Sequence, residues 1–284
     1  MPEKIVMRFP GGCPKALTLS YDDGVEQDIK MIEILDKYGL KCTFNINSGL
    51  YAPEGTVFEE GKIHRRMTES KVTKLYSNSA HEVAVHGYKH AWLDRLPTGA
   101  MALEVIRDKD NLEKQFGRII RGMAYAYGTY NDQTVECLRS CGIVYSRTVN
   151  STEKFDIPTD WLRLPATCHH RNPKLMELAK KFVEMKNGKP QLFYLWGHTY
   201  EFEQNDNWNV IEEFAKYISG KDDIWYATNI DIYDYIDDYN RLQFSADLSK
   251  VHNPTARTLC FTTRESMNAP VIYVAPGETV AIND

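Results

Sequence analysis

The stretch LTLSYDDG, Leu17 to Gly24, is an apolar, strand-forming run that stops on two adjacent carboxylates and a glycine. Strand interiors disfavour Asp, and Asp with Gly supplies turn chemistry, so the run predicts a β-strand that ends in a polar turn. Neighbouring carboxylates repel each other unless a cation neutralises one of them. A solvated turn asks for nothing more, whereas a functional reading asks for partners elsewhere in the chain.

Outward from this stretch the pattern repeats. Short β-prone runs at 16–20, 41–45, 82–86, 122–126, 143–148, 162–167, 192–196 and 224–227 alternate with amphipathic stretches. Among these, 26–38 is closed by Gly39, and 132–141 is opened by Asn131 and closed by Gly142, as helix ends prefer. Alternating strands and helices predict an α/β fold around a parallel sheet, and seven or eight such units predict a distorted (β/α) barrel. Residues 48–67, SGLYAPEGTVFEEGKIHRRM, form a long connection that would wall a cleft. From residue 241 the rhythm changes to short strands, RLQFS, RTLCFTT and APVIYVAPGETVAI, separated by turns. The expected division is a barrel domain over 1–240 and a small C-terminal β appendage over 241–284, packed on it.

Composition excludes several classes. With 284 residues and 43% hydrophobic content the chain can bury a full core. A net charge of -5 without a long Lys/Arg run argues against nucleic acid. Six cysteines without a Cys-x-x-Cys pair suggest free thiols in a reducing compartment. No stretch approaches the roughly 18 apolar residues of a membrane span. The opening MPEKIVMRFPGGCPK lacks an apolar run behind a basic start, so a cytoplasmic protein is expected unless a leader has been removed. The oligomeric state is not legible.

The third strand, within HEVAVHGYKH, places His86 and His90 four residues apart where the strand should stop. That is one helical turn, which lets both imidazoles converge on one point. Two His with one Asp from another strand would leave a fourth position on zinc open, as catalytic sites do. LFYLWGHTYEF ends its apolar run at His198, and GMAYAYGTYND ends at Tyr127 and Gly128, where glycine lets backbone amides approach a ligand. In a parallel barrel these strand ends share the C-terminal face, where active sites gather.

The segments SYDDG, HGYKH, YAYG and LWGH, in this order, resemble the motifs of the NodB-type polysaccharide deacetylases, carbohydrate esterase family 4, over 15–238. The resemblance implies one divalent metal ion, zinc foremost with cobalt or nickel as alternatives, held by Asp23, His86 and His90. It implies Asp22 as catalytic base, His198 as catalytic acid and the backbone amide of Tyr127 as an oxyanion donor. The implied reaction removes acetyl groups from an N- or O-acetylated carbohydrate, with neither nucleic acid nor membrane as partner. Two alternatives stand beside it: hydrolysis of a non-peptide C–N bond in a small amide, and a catalytically inactive carbohydrate-binding barrel. Five intact catalytic positions weigh against the second.

Three departures from the family pattern matter. Gly87 stands where a loop-fixing Ser or Thr is usual, and Ala124 where an Arg normally orients the base. The fourth motif, an Asp before a Trp that supports the catalytic His, is matched only loosely by Asp160 and Trp161. A planar guanidinium suits a carboxylate, so Arg147 in VYSRTVN and Arg163 in WLRLPAT are the candidates to orient Asp22. Arg147 is favoured because it lies nearer the end of its strand. Tyr88, Trp92, Tyr130, Trp196, Tyr200 and Trp208 lie near the motifs, and at most two are expected on substrate, the rest being packing. His169 and His170 line the same face or a loop, and no partner is evident for His64, His81 or His252.

Overall fold

A computed structural model describes residues 4–186 and 188–282. Its central strand, Lys15–Asp22, is buried at every position, as a strand covered on both faces must be. Along its full length it pairs with Gln191–His198. Its other edge is shared by two strands, Ile224–Tyr226 near its start and Cys42–Ile46 near its end. The sheet continues through Glu82–Val85, Gly122–Ala124 and Tyr145–Ser151 to Leu164–Ala166, while a short Cys168–His169 strand lies beyond Gln191–His198. Among the described residues these nine strands form one sheet, and every pair in it is parallel. With its helices this is the α/β architecture of a distorted barrel. Because all strands run the same way, their C-terminal ends meet on one face.

Local differences from the sequence reading have local causes. The run 162–167 opens as a helical turn, Trp161–Arg163, and only Leu164–Ala166 is strand. The fourth strand stops at Ala124 because the chain turns through Tyr127, whose φ is 58°. The helix Asp132–Ser140 starts with a capping box in which the Asn131 side chain accepts from the Thr134 amide. In the long connection, the Glu26 amide donates to the Arg65 carbonyl and the Met67 amide to the Gly24 carbonyl. These bonds lay the segment against the end of the central strand.

Among the described residues the C-terminal segment takes part in two three-stranded antiparallel sheets, one of Gln243–Phe244, Lys250–His252 and Thr279–Ala281, the other of Leu259–Thr262 and Ile272–Val274 with Val6–Arg8. Val6–Arg8, from near the start of the chain, is the strand that completes the second of these sheets. A three-residue strand whose partner lies some 250 positions away carries no local signal of that pairing. Behind it Phe9 packs on Trp225 and Tyr235, which joins appendage and barrel in one apolar cluster.

At the opposite end of the barrel from the strand ends, Glu82 is buried. Its carboxylate accepts from Thr43 Oγ1 at 2.7 Å, Tyr145 OH at 2.7 Å and the Ile230 amide at 3.0 Å. Burial raises its pKa from 4.5 to about 7 despite these bonds. A pKa raised in the folded state stabilises fully below about 4.5, and that contribution is lost as pH rises through 7, an effect of about 3 kcal/mol. Urea unfolding at pH 5 and pH 8 should therefore show Glu82→Gln with a flatter pH dependence than wild type. Equal pH dependence in the two proteins would contradict it.

Candidate active site

Asp23 follows directly on the central strand with φ 90°, a left-handed conformation that a non-glycine residue adopts only where its surroundings hold it. Its amide donates to the Asn45 carbonyl at 2.9 Å. Its carboxylate accepts from Arg66 Nη2 at 2.8 Å and lies 3.2 Å from His64 Nε2. Burial pushes this carboxyl up, but the hydrogen bond from His64 and the charge of Arg66 more than reverse it, holding the pKa well below the usual carboxylate range.

His86 begins where the third strand ends, and its Nδ1 lies 2.8 Å from the Ala124 carbonyl. Nδ1 must donate in that bond, which leaves Nε2 as a bare lone pair, buried and without a partner among the described residues. His86 Nε2 and His90 Nε2 lie 4.0 and 3.9 Å from Asp23 Oδ1. Burial lowers the pKa of both imidazoles, and with His86 as a second cause it brings His90 to about 4, so both rings are neutral at pH 7. Two neutral imidazoles and an ionised carboxylate, with ligand atoms within 4.8 Å of one another, fit a divalent ion of the zinc type.

The loop behind His86 is tied down without a hydroxyl at position 87. Asn47 Nδ2 donates to the His86 and Gly87 carbonyls at 2.8 and 2.7 Å. From the helix Thr98–Phe116, the buried Asp108 accepts from the His86 amide at 3.0 Å and from the Ser48 amide and hydroxyl at 2.7 and 2.6 Å. Gly87 has φ 83°, which a Ser or Thr would adopt only under strain, so the two arrangements are alternatives.

Asp22 is the last residue of the central strand and is buried. Asn45 Nδ2 donates to its Oδ1 at 2.8 Å, and Arg147 Nη2 makes a short hydrogen bond to its Oδ2. Arg147 pairs in register with Ala124 on the adjoining strand, so the guanidinium comes from the strand next to the position where the family carries its Arg. It also lies over the Trp196 ring, 4.3 Å from the centroid, which supports a cation in an otherwise apolar place. Burial raises the Asp22 carboxyl, and Arg147, then His86 and His198, outweigh it, so its pKa falls below the ordinary 3.8. Arg163 takes no part. It bonds Asp160 at 2.7 Å and Asp132 at 2.6 Å, because its helical turn sits before the strand and faces outward.

His198 closes Gln191–His198 with Nε2 3.8 Å from Asp22 Oδ2 and Nδ1 3.4 Å from Glu201 Oε1, an ion-pair distance without hydrogen-bond alignment. Burial lowers its pKa, but Glu201 followed by Asp22 more than reverses this, so it ends above the ordinary 6.5. Glu201 gives His198 the carboxylate partner that Asp160 does not provide: Asp160 instead caps the Leu162 amide, and Trp161 packs on Tyr233. Around Glu201 stand His170 Nε2 at 3.0 Å, His169 Nε2 at 3.4 Å and Arg171 Nη1 at 3.4 Å. His169, His198 and Glu201 also converge within 4.8 Å, yet His169 Nδ1 accepts from the Arg171 amide, so the neutral ring carries its proton on Nε2, toward Glu201. Protonated Nε2 is no ligand, and this second group is a carboxylate ringed by donors. Gly197 permits it, since a Cβ there would meet His170 Nδ1 at 2.0 Å.

Tyr127 lies in the turn after Gly122–Ala124, and Gly128 is required beside it, because a Cβ would meet Val149 at 2.4 Å. Of the other histidines, His64 proves to be a partner of Asp23, His81 accepts the Cys42 amide, and His252 lies 2.9 Å from Thr279 Oγ1. Tyr200 sits between the rings of His64 and His198, at 4.9 and 5.3 Å. Trp208 packs on Phe202 and Tyr130 on Tyr125. Sequence reasoning missed Arg66, Asp108 and Glu201. Only Glu201 left a signal, being one helical turn beyond His198.

Residues 11–146 match the family model described as polysaccharide deacetylase. That match makes this part of the chain, a little under half of the whole, similar to the polysaccharide deacetylases. It takes in Asp22, Asp23, His86, His90 and Tyr127, and stops one residue before Arg147. No curated protein sequence matches the chain. Among solved structures, a family 4 carbohydrate esterase from Streptomyces lividans in complex with acetate is 16% identical over 76% of this chain and 93% of its own, with TM-score 0.51. The peptidoglycan deacetylase PdaC from Bacillus subtilis is 15% identical over 82% and 96%, with TM-score 0.51. The chain spans 55% of the Streptococcus pyogenes deacetylase PplD, solved with acetate, at 24% identity over 46% of this chain and TM-score 0.40. The first two likenesses agree with the distorted barrel of a NodB-type deacetylase.

Proposed function

We propose that the protein is a metal-dependent hydrolase that removes acetyl groups from an N- or O-acetylated carbohydrate, with one divalent ion, zinc foremost, held by Asp23, His86 and His90. The observation that carries the proposal is the position of Asp22 Oδ2, which lies 3.7 Å from His86 Nε2 and 3.8 Å from His198 Nε2 while bonded to Arg147. A depressed carboxyl and a raised imidazole, side by side at the proposed metal ligands, are the pairing that acid–base catalysis requires.

When bound, the ion would polarise the acetyl carbonyl and acidify water at that point. Asp22, ionised and held by Asn45 and Arg147, accepts a proton from the attacking water. The Tyr127 amide, on the neighbouring strand end, donates to the oxyanion as it forms. His198 is kept protonated by Glu201 and gives its proton to the departing amine or alcohol. Acetate and a free amino or hydroxyl sugar are the products.

Acetate release from N-acetylglucosamine oligomers and O-acetylated xylan fragments, run beside small linear and cyclic amides, tests this reading. Turnover of an acetylated sugar is the expected result. Hydrolysis confined to the small amides would replace the carbohydrate substrate with the alternative amide reading.

A further inference from the structure

The two proposed imidazole ligands are supported in different ways. His86 donates its Nδ1 proton to the Ala124 carbonyl, the usual means by which a metal-binding imidazole is oriented. His90 has no hydrogen bond to its ring among the described residues, and its backbone is left-handed at φ 54°. Its ring meets that of Tyr127 instead, with centroids 4.4 Å apart and planes at 75°. Tyr127 is itself left-handed at φ 58°, and the Trp92 ring stacks on it at 3.6 Å and 6°. Arg95 covers Trp92 in turn, its guanidinium carbon 4.9 Å from the ring.

Neither aromatic is there to fill the core, since Trp92 is 38% and Tyr127 48% exposed. Exposed large aromatics that touch each other and a functional residue need an explanation that scattered surface ones do not. The two loops that carry them follow different strands and are tied together beside the stack, where Thr129 Oγ1 donates to Asp94 Oδ1 at 2.7 Å. The stack therefore joins His90, a proposed metal ligand, to Tyr127, whose amide is the proposed oxyanion donor. Trp92 is engaged by Tyr127 and Arg95, and Tyr127 by Trp92 and His90, which points to support rather than substrate binding.

We propose that Trp92 is a positioning residue which, through Tyr127, fixes the His90 imidazole for the metal ion in place of a hydrogen bond. This rests on the metal-dependent reading above, and it is tested without substrate. Zinc affinity is measured by competition with a chromophoric chelator, and the visible spectrum of the cobalt-loaded protein reports ligand geometry. Trp92→Leu, which keeps apolar bulk but not a flat ring, should bind zinc about 10- to 100-fold more weakly, the range for losing an outer support of a metal ligand. Its cobalt spectrum should change, while its ion-free thermal unfolding stays at the wild-type temperature. Trp92→Phe should restore near wild-type affinity, because a smaller ring can still stack on Tyr127. Tyr127→Leu should weaken zinc as Trp92→Leu does. If Trp92→Leu and Tyr127→Leu bind zinc as tightly as wild type, the inference is overturned while the metal reading stands. A wild-type protein that binds no zinc overturns both.

Discussion

Asp22→Asn should lower turnover of an acetylated sugar by about 10²- to 10⁴-fold, the usual contribution of a positioned general base. Asn has the shape of Asp but a single acceptor oxygen, so it can keep the bond from Arg147 or from Asn45 and not both, and it cannot take a proton. The proposed metal ligands Asp23, His86 and His90 are untouched, so ion content should persist. Arg147 is 1% exposed along its side chain, and losing its anion leaves a buried charge uncompensated. Removing one partner of such a pair typically costs about 3–5 kcal/mol, so the variant should also melt at a lower temperature. Turnover must therefore be measured well below that transition, at saturating substrate. Near wild-type turnover in protein of normal ion content would remove Asp22 from the mechanism.

In the wild type, the rate should fall on the alkaline side as His198 loses its proton, at a pH above 6.5, and on the acid side as Asp22 gains one, below 3.8. Both limbs belong to a coupled site, and the apparent values describe the pair. The separation of the limbs is what the surrounding charges contribute.

Arg147 should be nearly as sensitive. Arg147→Lys keeps the charge but not the planar fork, and an ammonium cannot both reach Asp22 and lie flat over Trp196. A base displaced by an ångström can lose on the order of 10²-fold in rate, and turnover should fall by about that much at unchanged ion content. Arg147→Met isolates the electrostatic part. Burial alone raises the Asp22 carboxyl, and Arg147 is the first of the groups that bring it down, so without the guanidinium its pKa rises. The acid limb of the rate profile should then move to higher pH, with the alkaline limb set by His198 nearly in place. An acid limb that does not move would show that Arg147 serves only packing.

What could be read from sequence was what repeats or sits at a strand end. The alternation of strands and helices marked the barrel, and each apolar run that stopped on a polar side chain marked a position on its C-terminal face. The choice of Arg147 followed from the same reasoning, though the structure adds the cause, a register that puts it beside Ala124. Residues whose role depends on tertiary packing stayed hidden. Asp108 lies within a regular helix and is unremarkable until its buried carboxylate meets the His86 and Ser48 amides. Arg66 sits in the long connection, which sequence identified as a wall without indicating which side chain would turn inward to Asp23. The strand Val6–Arg8 stayed hidden for the same reason, because only the fold brings Leu259–Thr262 alongside it.

The central claim is that Asp23, His86 and His90 hold the ion on which hydrolysis depends. The direct measurement is a titration of chelator-stripped protein with zinc, following bound ion and acetate release together. Bound zinc and activity should rise in proportion and level off at a single ion per chain, with His86→Ala and His90→Ala showing neither. Stripped protein that releases acetate at the full rate, or alanine variants that retain wild-type ion content, would contradict the account.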